Sequence, residues 1–245
     1  TKEILQSWKT GDLRPFNTRA IEHRNFLFPL VTAASGTNTI SHNRILIRIN
    51  SESSILIPLK LWLREKFHAS DAKEILFLGG YYGLMLVMIL YNAAVAISLR
   101  SLSSAYYVSY MIFITITQST LDGFFYQIFP AVLYLNNLGI TFWGNFFVTF
   151  GVLFSAQYLN IWREKQVHRL TFIALIVIGI GLIFSSLFIG YRATVRLQFL
   201  NGIWTVILGL AYGAWQLKKG YKPALYYLMG YGSFLVLMFV FVLSR

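Results

Sequence analysis

Cysteine is absent from this 245-residue sequence, which excludes disulfides and cysteine-ligated metals. Charge is scarce too: 12% of the residues are charged, about half of the roughly 25% usual in a soluble domain. Acids are the scarcest, nine Asp+Glu against 21 Lys+Arg, and only Asp122 and Glu164 fall within residues 75–245. Catalytic signatures are missing. His23, His42, His68 and His168 stand apart with no metal-ligand spacing, and no Gly-Lys-Ser/Thr phosphate loop or Gly-x-Ser-x-Gly elbow occurs. Ser185-Ser186 has no histidine on the predicted helices to activate it. These absences argue against an enzyme in this stretch, and nothing in it asks for a cofactor.

What is present is hydrophobic: 56% of the residues, unevenly spread. Residues 1–74 hold eleven of the 21 bases and seven of the nine acids. The net charge of +12 is not clustered on a soluble face, so nucleic acid is not an expected partner. The sequence opens at Thr1 without a signal peptide and closes directly after an apolar run, which reads as a piece of a longer protein.

The composition divides the chain into residues 1–70 and 71–245. In the first part Ile45, Ile47 and Ile49 share one face opposite Arg44, Leu46 and Arg48, and Ile55, Ile57, Leu59, Leu61 and Leu63 alternate with Lys60 and Trp62. Such alternation predicts half-buried strands, with Phe26 to Val31 a further candidate. The expectation is the end of an antiparallel β-domain. In the second part six apolar runs, 75–98, 104–128, 140–162, 170–190, 195–217 and 224–243, are each long enough to cross a bilayer core of about 30 Å as a helix. No proline interrupts a run in mid-course, so unbroken crossings are expected, a pattern favouring a signalling bundle over a carrier.

Short-loop charge gives the orientation. The first, third and fifth gaps carry seven bases (Arg100; Arg163, Lys165, Arg169; Lys218, Lys219, Lys222), while the second and fourth carry only Arg192 and Arg196. Cytoplasmic loops hold the excess. The odd gaps are therefore expected inside and the N-terminal segment outside.

Asp122 is the sole carboxylate within a predicted span, near the outer end of the second. An intramembrane acid is costly and often functional. It reads either as a ligand contact, proton site or partner of Arg192 or Arg196, or as an interfacial residue in reach of water. Asn92, Gln118, Asn145, Gln157 and Asn201 are polar positions that line a pocket or hydrogen-bond between helices. Gly79-x-x-x-Gly83 and Gly209-x-x-x-Gly213 permit close helix approach, within the chain or in a homodimer.

Several short motifs carry a resemblance. They are Thr10-Gly11-Asp12-Leu13-Arg14-Pro15-Phe16, then His23-Arg24-Asn25-Phe26-Leu27-Phe28-Pro29-Leu30, and Ile57-Pro58-Leu59-Lys60-Leu61-Trp62. Gly80-Tyr81-Tyr82-Gly83, Leu90-Tyr91-Asn92, Ser98-Leu99-Arg100, Asp122-Gly123, Tyr126-Gln127 and Asn136-Asn137 follow. Over nearly its whole length the sequence resembles the bacterial seven-transmembrane receptors with diverse intracellular signalling modules. Asp122 departs from the asparagine usual at that place. The resemblance implies a jelly-roll-like extracytoplasmic sensory domain, a seven-helix bundle of which six helices are here, and a cytoplasmic kinase, cyclase or phosphatase beyond it. It implies a sugar or related small molecule as ligand and the inner membrane as location.

The leading expectation is thus the lipid-embedded core of a sensory receptor, with Asp122, Asn92, Gln118, Arg192 and Trp62 as candidates for ligand contact or coupling. The alternative is a transporter or channel subunit using Asp122 and Arg192 in a substrate path. A ligand-free membrane scaffold is a third reading.

Overall fold

The computed structural model describes residues 7–30, 45–50, 59–189 and 191–243. Among them the architecture is all-helical: seven α-helices and two short 3-10 turns. The helices are α1 (Arg64–Leu99), α2 (Leu102–Leu121), α3 (Phe124–Ile128), α4 (Leu133–Tyr158), α5 (Gln166–Ser185), α6 (Tyr191–Lys218) and α7 (Pro223–Leu243). All but α3 correspond to the six expected crossings. Four stretches, α1, Leu138–Tyr158 of α4, α5 and α6, combine length and apolarity enough to cross a membrane.

One expectation needs correction, and another is not borne out among the described residues. The antiparallel β-segment shows no strand there. Phe26–Leu30 and Ile45–Ile49 are irregular, and Ile55, Ile57 and Pro58 lie outside the described residues. Alternation gives a strand two faces but does not name its partner, and Leu46 and Leu61 are exposed. The second crossing is also not continuous. It breaks at Asp122-Gly123, where Gly123 takes φ +77°, and resumes as the single-turn helix α3. Only glycine adopts that left-handed conformation without strain.

At 36 residues α1 is about 54 Å long, well beyond a hydrocarbon core of about 30 Å. Its first eleven residues carry all its charges and continue the helix past the apolar stretch. The stretch Glu65 to Lys73, expected as a linker, is therefore helical. A tight turn at Arg100 and Ser101 reverses the chain, with the Ser101 hydroxyl capping α2 by accepting from the Ser104 N–H at 3.3 Å.

The bundle is organised on α4, which packs against α2, α5 and α6. The α2–α4 contact is a ladder of rings. Tyr110 meets Phe147 at 4.9 Å, Phe113 stacks on Phe146 at 4.7 Å and on Phe150 at 5.4 Å, and Tyr107 meets Phe154 at 5.2 Å. Aromatic pairs add about 0.5–1.5 kcal/mol each beyond area burial. By contrast α1 packs chiefly on α2 and contributes no buried residue.

The polarity of α6 identifies the surroundings. Its buried residues are Thr194, Asn201, Thr205, Gly209, Gly213 and Gln216, while Leu197, Phe199, Leu200, Ile203, Trp204 and Ile207 are exposed. A helix with small and polar residues inside and large apolar ones outside is arranged for lipid. Gly209 and Gly213 allow the approach of α7: the Tyr227 hydroxyl occupies the space of a Gly209 Cβ, and Leu228 lies 3.0 Å from that of Gly213. The Tyr227 hydroxyl donates to Ser155 Oγ at 2.8 Å, joining α7 to α4.

Residues 7–30 sit at one end of the bundle, here the proximal end, with the starts of α1 and α4 and the end of α2. A polar clasp closes the distal end. Gln216 Nε2 donates to the Leu159 carbonyl at 2.8 Å, and Lys219 Nζ donates to both oxygens of Glu164 at 3.0 and 3.1 Å. The hydrogen bond from Lys219 is the largest influence holding the Glu164 carboxyl below its ordinary value of 4.5.

Two outcomes follow. Gly209→Val should lower the unfolding free energy in detergent by about 1–3 kcal/mol through overpacking against Tyr227, while Gly83→Val, with open space around it, should change it by less than about 0.5 kcal/mol. The Glu164 contribution is present above its ordinary pKa and lost as the pH falls through its lowered folded value. Acid melting curves should therefore show wild type losing stability below about pH 4.5 more steeply than Glu164→Gln.

Candidate functional site

The proximal end gathers the densest set of charged and polar contacts between elements far apart in sequence. Its first part is a compact loop. Arg14 N–H donates to the Gly11 carbonyl at 3.0 Å, and a 3-10 turn over Phe16–Thr18 follows Pro15. The loop closes around Arg19, 7% exposed. Its guanidinium lies 4.7 Å from the Phe16 ring, 4.3 Å from Phe26 and 5.0 Å from Tyr126. It donates to the carbonyls of His23 at 2.5 Å and Arg24 at 2.8 Å. Burial lowers the Arg19 pKa below its ordinary value, with Asp12, 3.8 Å away, opposing. A guanidinium remains protonated through such a shift. A flat, weakly hydrated cation suits a box of three rings; an ammonium would not fill it.

The loop thereby presents Arg24 to the bundle. Arg24 is 6% exposed and reaches the Asp71 carboxylate at 3.3 Å and Glu74 at 2.9 Å, both on the protruding turns of α1. His23 joins them: its Nε2 lies 3.1 Å from Asp71, while its Nδ1 accepts the Asn25 N–H at 3.0 Å. That acceptor role places the proton of the neutral ring on Nε2, donating to Asp71. The Arg24 guanidinium also sits 5.3 Å from the Phe124 ring of α3, and a Cβ on Gly123 would come within 2.8 Å of the Arg24 carbonyl. The missing side chain at Gly123 is therefore needed twice, for the turn and for the close seat of Arg24. The Tyr126 hydroxyl of α3 donates to the Arg14 carbonyl.

Asp122 lies directly behind this contact. Its Oδ2 accepts from the Tyr82 hydroxyl of α1 at 2.7 Å and its Oδ1 from Gln118 Nε2 at 3.1 Å. The arrangement ties three parts together: the N-terminal loop, the exposed turns of α1, and the break between α2 and α3. It can hold α1 and α2 in one relative position and can transmit a displacement of the loop to either.

Of the residues expected to matter, Asp122 and Gln118 are brought together by the structure. Trp62 stands at the rim, 6.4 Å from Phe67, whose ring lies 5.6 Å from His23. Asn92 lies about 30 Å further along α1 and turns back on its own helix, donating to the Met88 carbonyl at 2.8 Å. Arg192 opens α6. Sequence reasoning did not find Arg19, His23, Arg24, Asp71, Glu74, Tyr82 or Tyr126 as a cluster. The available signal was the density of Arg, His and aromatic residues between Arg14 and Phe26, in a segment without helix or strand periodicity.

Comparison with known families covers nearly the whole chain. The family model described as 7TM diverse intracellular signalling matches residues 74–245. The model described as 7TMR-DISM extracellular 2 matches residues 1–63. No curated protein and no solved structure matches.

The Arg24–Asp71 pair should show its coupling in a double-mutant cycle. Arg24→Gln alone is expected to destabilise the protein by about 1.5–3 kcal/mol, the range for a hydrogen bond to a charged group, and the same change in an Asp71→Asn background by at least 0.5 kcal/mol less. Gly123→Ala, strained in φ and crowding Arg24, should cost about 1–3 kcal/mol by the same melting measurement.

Proposed function

The chain belongs to the seven-transmembrane receptor family with diverse intracellular signalling, a family of membrane sensory receptors, and from that premise we propose that its proximal end is an extracytoplasmic joint passing ligand occupancy into the bundle. The observation that carries the reading is the buried Arg24, held at once by carboxylates of α1 and by the α2–α3 break. The match of residues 1–63 to a domain described as extracellular supports placing this end outside the cytoplasm. The basic odd-numbered gaps support placing the distal end inside. The ligand proposed is a sugar or related small molecule, bound by a β-domain to which residues 1–63 contribute, and the receiver is a cytoplasmic signalling module.

Mechanically, the proximal turns of α1 act as a rigid lever. They are helical from Arg64, so a displacement of the loop reaches the membrane without being absorbed by a flexible linker. The ring ladder makes α2 and α4 one body, while α1 holds fewer contacts. Displacing Arg24 would therefore move α1 against the α2–α4 pair and carry the shift to Arg100 at the far end. A ligand acts in this way only by binding the two arrangements with different affinity. A transport path is not favoured, because both family models that match the chain are those of sensory receptors.

The test uses the full-length receptor with its output module. Arg24→Gln, or a Gly-Gly-Ser-Gly insertion after Lys66, should leave ligand binding to the outer domain within about threefold and abolish the ligand-dependent change in output. Full signalling by both variants would refute the joint. Reporter fusions at Lys165 and Lys219 should be active only in their cytoplasmic form, and solute flux in liposomes should be absent.

A further inference from the structure

A separate feature lies at the distal end, where two turns far apart in sequence are sewn together. The Tyr221 hydroxyl donates to the Tyr158 carbonyl at 3.1 Å, Gln216 Nε2 to the Leu159 carbonyl at 2.8 Å, and Lys219 Nζ to both oxygens of Glu164. These contacts pin residues 158–164, at the α4–α5 turn, to residues 216–221, at the α6–α7 turn. Lys219 Nζ also lies 3.5 Å from the centre of the Trp215 ring. The His168 ring, at the start of α5, lies 4.8 Å from Trp215, and its Nδ1 is 2.8 Å from the Tyr212 hydroxyl. The first turn of α5 is thereby tied to the end of α6 as well.

This pinned end carries six bases and one acid: Arg163, Lys165, Arg169, Lys218, Lys219 and Lys222 against Glu164. Lys219 is engaged with that acid. The other five bases are exposed, and among the described residues none of them has an acidic partner. Like charges on loose turns can spread apart in water. Here the clasp holds their backbone anchors together, so an anion placed between the two turns relieves the repulsion of both at once. Bases on one side of a membrane are needed for topology, but topology does not require two turns to converge.

The surroundings identify the anion. Val167 and Leu170 follow the first set of bases and Leu225 and Tyr226 the second, and all four are exposed. Large apolar residues exposed this close to the bases place them at the edge of the hydrocarbon, where the nearest negative groups are lipid phosphates. We propose that the two turns form one site for an anionic phospholipid, its phosphate between Arg163, Lys165 and Arg169 on one side and Lys218 and Lys222 on the other, its chains along Leu170 and Leu225. Guanidinium and ammonium groups both donate to phosphate oxygens. The site stands apart from the proximal joint and does not depend on it. Occupied, it ties the distal ends of α4 to α7 to the charge of the surrounding lipid.

The experiment places the chain in nanodiscs of mixed phosphatidylglycerol and phosphatidylcholine and measures, by native mass spectrometry, which lipid it retains on release. The unmodified chain should keep phosphatidylglycerol in preference to phosphatidylcholine. Lys218→Gln with Lys222→Gln, and separately Arg163→Gln with Lys165→Gln and Arg169→Gln, should each lower that preference about tenfold or more, one base near an anionic surface being worth about fivefold. All five positions are exposed, so the fold is kept. Combining the two sets should lower the preference little further, because either set alone already opens the site. Arg100→Gln, on a turn that the clasp does not hold, should leave it unchanged, and millimolar inorganic phosphate should not displace the lipid. Equal retention of the two lipids would overturn the proposal, as would a preference untouched by either set. So would losses that multiply base by base with Arg100 included, which mark a diffuse field, or displacement by free phosphate, which marks a soluble-anion site.

Discussion

A peptide group in hydrocarbon has no water to bond, and this constraint shapes everything else in the molecule. Each crossing must satisfy its own N–H and C=O groups, so each is a helix, and the one interruption, at Asp122-Gly123, falls at the end of a crossing. The same medium inverts the usual packing rule. Burial is not needed to hide leucine from lipid, so the interior of α6 goes to threonine, asparagine, glycine and glutamine, whose contacts are closer or more directional. The core is accordingly knit by rings between α2 and α4, by glycines against Tyr227 and Leu228, and by hydroxyls such as that of Tyr227 on Ser155.

At the ends of the helices water returns and charge becomes usable. The two ends employ it differently. The distal clasp joins the buried Gln216 to a partly exposed Glu164–Lys219 pair at the turn between α4 and α5, and that ion pair is a modest and salt-sensitive contribution. The proximal cluster buries two guanidinium groups almost completely. Arg19 shapes the loop from within its box of rings, and Arg24 carries that shape to α1 and the α2–α3 break. Because a buried charge cannot be left without its partner, such a contact favours one geometry over its neighbours. That selectivity suits a joint whose two positions have to be distinct. In the proposed joint the lightly packed α1 would be the moving side and the α2–α4 pair the fixed side.

Much of this was legible in the sequence, with identifiable gaps. Six apolar runs foretold six long helices, since length and hydropathy alone decide what can span a bilayer. Asp122 and Gln118 were also visible, being polar residues on one helix four positions apart. The alternating residues of the N-terminal segment were less informative, because a strand is defined by a neighbour that alternation does not name. Gly79-x-x-x-Gly83 and Gly209-x-x-x-Gly213 read alike, yet among the described residues only the second pair meets another helix. Arg24 and Asp71 are 47 positions apart, and no local periodicity links them.

The sequence by itself determined the membrane class, the number of long helices and the asymmetry of basic loops, because these depend on the solvent each segment prefers, a property of its own side chains. Tertiary structure alone decided which polar groups meet: Arg24 with Asp71 and Glu74, Tyr82 with Asp122, and Gln216 with the Leu159 carbonyl. Those outcomes depend on how helices rotate and cross, which is settled by the combined packing of all their surfaces.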